Sequence, residues 1–142
     1  MNIKPLHKDF KKPTKGTDMA GAWDLYMPAG GIVYPYETAA VMAPLGFSLE
    51  IPENNVGLIL PRSGKGIKSG LMLNNTCGVI DADYRGECVA ALRVLDEAPL
   101  SWAVGDRLLQ LLIVPVTNVT MNIVDELGTT ERGTGGLGST GV

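Results

Sequence analysis

Glycine and proline, 18 and 9 in 142 residues, interrupt nearly every window that could hold three helical turns. In a helix interior Gly costs about 1 kcal/mol and Pro about 3 kcal/mol relative to Ala, so long helices are excluded. The stretch "GKGIKSG" is expected to give one or two turns and no more. Between the breakers, apolar residues recur at period two. "LGFSLEI" puts Leu45, Phe47, Leu49 and Ile51 on one side and Gly46, Ser48 and Glu50 on the other, and "VTMNIV" repeats the pattern with Val119, Met121 and Ile123. That is the signature of half-buried strands. The continuous apolar runs "VGLIL" and "LLQLLIV" have the length of strands buried on both faces. Strand candidates punctuated by "PENN", "DADYRG" and "DEAP" predict an all-β sandwich or barrel.

With no internal repeat and no composition break, residues 1–142 are expected to form one domain, with a basic segment over 1–18 and a Gly-rich arm over 131–142. Hydrophobic residues are 45% and charged residues 19%, which excludes wholesale disorder. A short all-β chain has trouble covering its sheet edges, and association of several copies would cover them. No apolar run approaches the roughly 20 residues of a membrane span, and the lysine-rich N-terminus lacks the apolar segment of a secretion signal. An intracellular protein is expected, cytoplasmic in a bacterium or a phage-infected bacterial host.

Cys77 and Cys88 match no zinc spacing and read as free thiols. The only histidine, His7, lies among lysines and reads as exposed, so imidazole catalysis has little to work with. A net charge of −3 gives no bulk attraction for nucleic acid, and none is expected as a partner. Five of the twelve Lys and Arg (Lys4, Lys8, Lys11, Lys12 and Lys15) stand in the first fifteen residues. Of the others, Arg62, Lys65, Lys68, Arg85, Arg107 and Arg132 fall in or beside Gly-containing or turn-like segments, and only Arg93 does not. Such placement suits small anions as well as it suits a solvated surface.

Five segments could carry chemistry: "GAWDL", "PRSGKGIKSGL", "NNTCGVIDADYRGE", "GDRLLQLLI" and "RGTGGLGSTG". Singly, each has an ordinary structural account. Asp24 could be a surface acid on a strand, Asn75 a turn residue and Gln110 a buried amide satisfied by backbone. Together they make a site. Arg62 and Ser63 offer a guanidinium fork and a hydroxyl to phosphate oxygens, and Gly64 lets backbone N–H groups approach closely. Asp81 closes the apolar run "GVI" just before a turn, where a carboxylate can be held rigidly as a general base. Tyr84 has a ring that could pack on a sugar and leave no room for an extra hydroxyl. Asn75 carries the donor and acceptor needed to read the edge of a pyrimidine. The C-terminal strip, with five glycines between Arg132 and Val142, could wrap a polyphosphate with bare amides or could be only a flexible tail.

In this order, the five segments resemble the five motifs of the homotrimeric dUTP pyrophosphatases, or dUTPases, from about Gly21 to the C-terminus. The resemblance implies a jelly-roll-like β-sandwich, a homotrimer with active sites shared between subunits, and hydrolysis of dUTP to dUMP and pyrophosphate with Mg2+. It implies that Asp24 holds the metal through water and that Arg62, Ser63, Gly64 and Gln110 lie at the phosphates. Asn75, the backbone near Val79 and Ile80, and Val89 would hold uracil and deoxyribose. Asp81 would deprotonate the attacking water, and Tyr84 would reject ribonucleotides. Arg132, Gly138, Ser139 and Thr140 would close a mobile arm over the β and γ phosphates.

Two positions depart from the family pattern. "GAWDL" has Gly21 and Ala22 in the reverse of the usual order, and Leu137 stands where an aromatic ring normally stacks on the base. Two other readings compete. One is a dCTP deaminase of the same fold, and the other is a protein-binding module switched by a nucleotide.

Overall fold

The computed structural model describes residues 1–137, and its strands all pair antiparallel. Eleven strands and one helix follow one another: β1 (Asn2–Pro5), β2 (Ala22–Tyr26), β3 (Gly31–Val33), β4 (Val41–Pro44), β5 (Phe47–Glu50), β6 (Asn55–Pro61), α1 (Ser63–Ser69), β7 (Leu71–Leu73), β8 (Gly78–Ile80), β9 (Val89–Val94), β10 (Leu100–Trp102) and β11 (Arg107–Pro115). A four-stranded sheet runs β2-β11-β6-β8 and a three-stranded one β4-β9-β7, with the pairs β1-β5 and β10-β3 beside them. This is the all-β architecture that the patterning predicts, in the jelly-roll-like form that the family resemblance implies.

The core gathers one inward face from each sheet, including Leu25, Phe47, Ile59, Leu73, Leu92, Leu108, Leu109 and Leu111. Strand β9 shows why: Ala90, Leu92 and Val94 are buried while Val89, Ala91 and Arg93 face outward, so period two places one apolar row inside. Helix α1 has no buried residue and two glycines, Gly64 and Gly66. It is held at its ends: Lys65 and Gly66 N–H donate to Arg62 O at 2.9 Å, and Gly70 closes it in the left-handed region (φ 58°). A side chain at Gly70 would put its Cβ 2.6 Å from the Asp96 backbone nitrogen, so conformation and space both require glycine there.

Four sequence expectations need correction. "VTMNIV" forms no strand: residues 117–124 join no ladder among the described residues, Asn118 reaching Asn54 only through its side chain at 2.9 Å, and Val119, Met121 and Ile123 are exposed. Alternation prepares a strand but cannot provide an edge to pair with. "VGLIL" and "LLQLLIV" are buried on one face only, with Leu58, Leu60 and Leu112 half-buried. Ser48, expected to face out, is buried. His7 is half-buried, its Nδ1 accepting the Asp9 N–H at 3.1 Å. The lysine-rich N-terminus is built into the fold, with β1 lying along β5 and Thr14 bridged to Asp24.

Candidate active site

Strand order assembles the first half of the site. In the four-stranded sheet β11 lies between β2 and β6, so Gln110 stands opposite both Asp24 and Leu60. Arg62 follows the end of β6, and its backbone N–H donates to Leu108 O at 2.9 Å. A register shift between Arg107 and Leu109 interrupts the β2–β11 ladder, the irregularity that commonly re-aims a side chain beside a site. Arg107 is thereby brought onto Asp24.

The Asp24 carboxylate is nearly enclosed and takes a guanidinium on each oxygen. Arg62 Nε lies 2.7 Å from Oδ1 and Arg107 NH1 3.0 Å from Oδ2. Arg62 NH1 also donates to Arg107 O at 3.3 Å, and Gln110 Nε2 donates to Pro61 O at 3.0 Å. Two cations on one anion leave this end of the sheet with surplus positive charge. Ser63 and Gly64 open α1 next to it, and a Cβ added at Gly64 would meet nothing within 4 Å, so the backbone there is open to approach. Sequence reasoning placed Arg107 near an anion but gave it no role in the site. Its signal was its position, at the first residue of β11 and three residues ahead of Gln110.

The second half lies elsewhere. Val79, Ile80, Asp81, Tyr84, Glu87, Cys88 and Val89 line a cleft of about 250 Å³ between the end of β8 and the start of β9. Asp81 is exposed at its mouth and its carbonyl accepts the Tyr84 N–H at 3.2 Å. The Tyr84 hydroxyl donates to Glu87 O at 3.0 Å, which fixes the ring against the cleft wall. Glu87 Oε1 in turn accepts the Gly46 N–H at 3.1 Å. Burial, with the Glu87 charge beside it, pushes the Cys88 thiol up to about 11. Cys77 and Cys88 are both free, as expected.

Asn75 sits in the turn before β8, whereas Asp81 follows that strand, so the two flank it rather than share the cleft. Thr76 in the same turn adopts φ 66°, a conformation that costs a β-branched residue about 1–3 kcal/mol and is held by its surroundings.

The two halves do not meet within one chain. Ile80 pairs with Gly57, which places Asp81 beside the start of β6, while Arg62 follows its end. Six residues of strand at about 3.3 Å each separate them by roughly 20 Å. The cleft of Asp81 is lined by two acids and no Lys or Arg, so it cannot neutralise a phosphate chain unaided. Arg132 and Leu137 join neither half. The Arg132 Nε donates to Gly135 O at 2.9 Å within its own turn, and Leu137 is wholly exposed. Gly138, Ser139 and Thr140 lie outside the described residues.

Among the described residues, no three His, Cys, Asp or Glu side chains converge as metal ligands. Asp24, with both oxygens held by guanidinium groups, fits contact with a hydrated ion through its remaining lone pairs and does not fit direct ligation. Such an arrangement suits Mg2+, which keeps several waters and is commonly carried by substrate phosphates. No helix among the described residues is long and apolar enough to cross a membrane.

Comparison with known proteins gives one family. The family model described as dUTPase matches residues 8–141. The deoxyuridine 5'-triphosphate nucleotidohydrolase of Actinobacillus pleuropneumoniae serotype 3 is 37% identical over 96% of this chain and 91% of its own length. Among solved structures, a mutant of the Staphylococcus bacteriophage 80alpha dUTPase with dUpNHpp superposes with a TM-score of 0.91 at 24% identity, covering 99% of this chain and 98% of that one. A mutant dUTPase from phage phi11 of S. aureus, described for its coordination of a structural Mg(II) ion, has a TM-score of 0.78 at 22% identity over 88% of this chain and 96% of its own. At those identities the two structures speak for the fold.

Proposed function

The chain belongs to the dUTPase family, and on that premise we propose that it hydrolyses dUTP to dUMP and pyrophosphate in sites shared between copies of a homotrimer. The observation that carries the shared site is the separation of charge. Arg62 and Arg107 stand at one end of β6, and the Asp81 cleft, with no Lys or Arg in its lining, stands at the other, roughly 20 Å away by strand rise. A second copy presenting its Arg62 end to the Asp81 cleft of the first supplies what each lacks.

Attack by water at the α phosphorus needs the triphosphate charge neutralised, the water aligned and a proton removed. Arg62, Ser63, Gly64 and Gln110 bind the phosphates, with Arg107 holding Asp24 and Arg62 in place. Asp81 takes the proton of the attacking water. No covalent nucleophile is required. Tyr84, pinned through Glu87, presents its ring to the deoxyribose and excludes a 2′-hydroxyl. Asn75, the backbone at Val79 and Ile80, and Val89 hold the base and sugar. Arg132, Gly138, Ser139 and Thr140 cover the β and γ phosphates, and Leu137 covers the base without a π face. Mg2+ bound to the triphosphate would offset its charge, with Asp24 touching only waters. The whole of residues 1–142 then acts as one domain, limiting uracil entry into DNA and supplying dUMP for dTMP synthesis.

The test is incubation with Mg2+ and each deoxynucleoside triphosphate in turn. Pyrophosphate released from dUTP ahead of the others is the expected result. Ammonia from dCTP would shift the reading to a deaminase, and binding of dUTP with no turnover would shift it to a nucleotide-switched module.

A further inference from the structure

Arg93 is the one arginine past the N-terminal segment that lies within a strand and away from any turn signal. It stands on the outward face of β9 opposite Met72, two residues ahead of Asn74 on that face of the neighbouring chain segment. Its guanidinium spreads three donors over two segments: Nε to Asn74 Oδ1, NH1 to Glu37 O at 2.7 Å and NH2 to Thr38 O at 2.6 Å. A guanidinium only donates, so it fixes the amide oxygen of Asn74 as the end that faces it. It does not line the cleft that holds Asp81.

The turn it grips is compact and strained. Asn74 N–H donates to Ala91 O at 2.8 Å, Thr76 N–H to Leu73 O at 2.9 Å and Cys77 N–H to Asn75 O at 2.6 Å, with Thr76 in the left-handed region. Arg93 supplies the side-chain bond that ties this turn to the loop between β3 and β4. We infer that Arg93 is a positioning residue for base recognition: through Asn74 it locks the turn that aims Asn75, and so sets the preference for uracil over other bases. The inference rests on the proposed role of Asn75 as a base reader.

Arg93→Leu, Arg93→Lys and Asn74→Ala test it, each checked for an unchanged thermal midpoint. For Arg93→Leu, the dUTP KM rises about tenfold, as expected for loss of one charge-assisted hydrogen bond, while kcat stays within about twofold. Discrimination of dUTP against dCTP narrows by a similar factor. Arg93→Lys fails to restore either, because one ammonium cannot span three divergent acceptors. Asn74→Ala reproduces the effect, and the double variant is no worse than either single one, the mark of a shared path. Asn74 is exposed, so that variant carries the test if Arg93→Leu does not fold.

Amide exchange at Thr76 and Cys77 reads the lock without substrate, and Arg93→Leu speeds it. Unchanged exchange, or unchanged KM and base preference in a folded variant, overturns the inference. A wild-type protein that releases no pyrophosphate from dUTP overturns the proposed function instead, while faster exchange in Arg93→Leu would still show the lock.

Discussion

The Asp24 carboxylate holds Arg62 at 2.7 Å across the sheet, and its other oxygen holds Arg107 at 3.0 Å. The arginine proposed to take phosphate is thus aimed by an acid two strands away. Asp24→Asn keeps the shape and removes the charge, leaving two guanidinium groups side by side without a counterion. The variant should lose about 1–3 kcal/mol of stability, less than for a fully buried pair because both arginines reach solvent, and should bind dUTP more weakly. Urea unfolding and a KM measurement check it, and wild-type values for both would contradict it.

A site divided between copies makes two dead variants complementary. Arg62→Ala damages one half of every site and Asp81→Asn the other, so each alone should be nearly inactive, the loss of the base costing about 100- to 10,000-fold. Mixed trimers, unfolded together and refolded, should contain some sites with both halves intact and recover measurable pyrophosphate release. No recovery from a mixture shown to contain mixed trimers would place both residues in one chain's site.

Deleting residues 132–142 should leave a folded trimer that is almost inactive, since none of the described residues of this stretch is buried. Size-exclusion mass and dUTP turnover check the two halves of the statement. Full turnover by the truncated chain would end the assignment of the arm to the phosphates.

Leu137→Phe supplies a ring at the position proposed to cover the base. Base–aromatic stacking contributes about 1–3 kcal/mol, so the KM for dUTP should fall severalfold or more, with turnover altered if arm closure limits it. A Michaelis constant and turnover both unchanged would show that Leu137 does not lie over the base.

Cys88 makes stability depend on alkaline pH. Its thiol is pushed from 9.0 to about 11 in the folded protein, chiefly by burial. The folded state therefore keeps a proton that the unfolded chain gives up. The stabilisation is fully present below pH 9 and is lost as pH rises toward 11, amounting to on the order of 2 kcal/mol. Denaturant midpoints at pH 8 and pH 10.5 should fall further for wild type than for Cys88→Ala. An alkylating reagent at pH 8 should label Cys77 before Cys88, and equal labelling would contradict the burial.

The residues of the candidate site are legible one segment at a time, because each carries a local signal: Asp24 between apolar neighbours, Arg62 after a strand end, Asp81 before a turn, Gln110 within an apolar run. Arg107 was missed as a partner because its role depends on a register shift in β11, which no local pattern announces. "VTMNIV" was misread for the converse reason: its pattern is that of a strand, but no free edge of the chain receives it.

What the sequence determined by itself was the class of fold and the chemistry available. Gly and Pro spacing forbids long helices, and period two sorts each strand into an inner and an outer row, both being properties of neighbours a few bonds apart. What only the tertiary structure decided was which segments meet. The order β2-β11-β6-β8 sets Asp24, Gln110 and Arg62 side by side and sends Asp81 to the far end of β6. Strand order is chosen by packing over the whole core, an energy summed over residues far apart in the chain, so no short stretch records it.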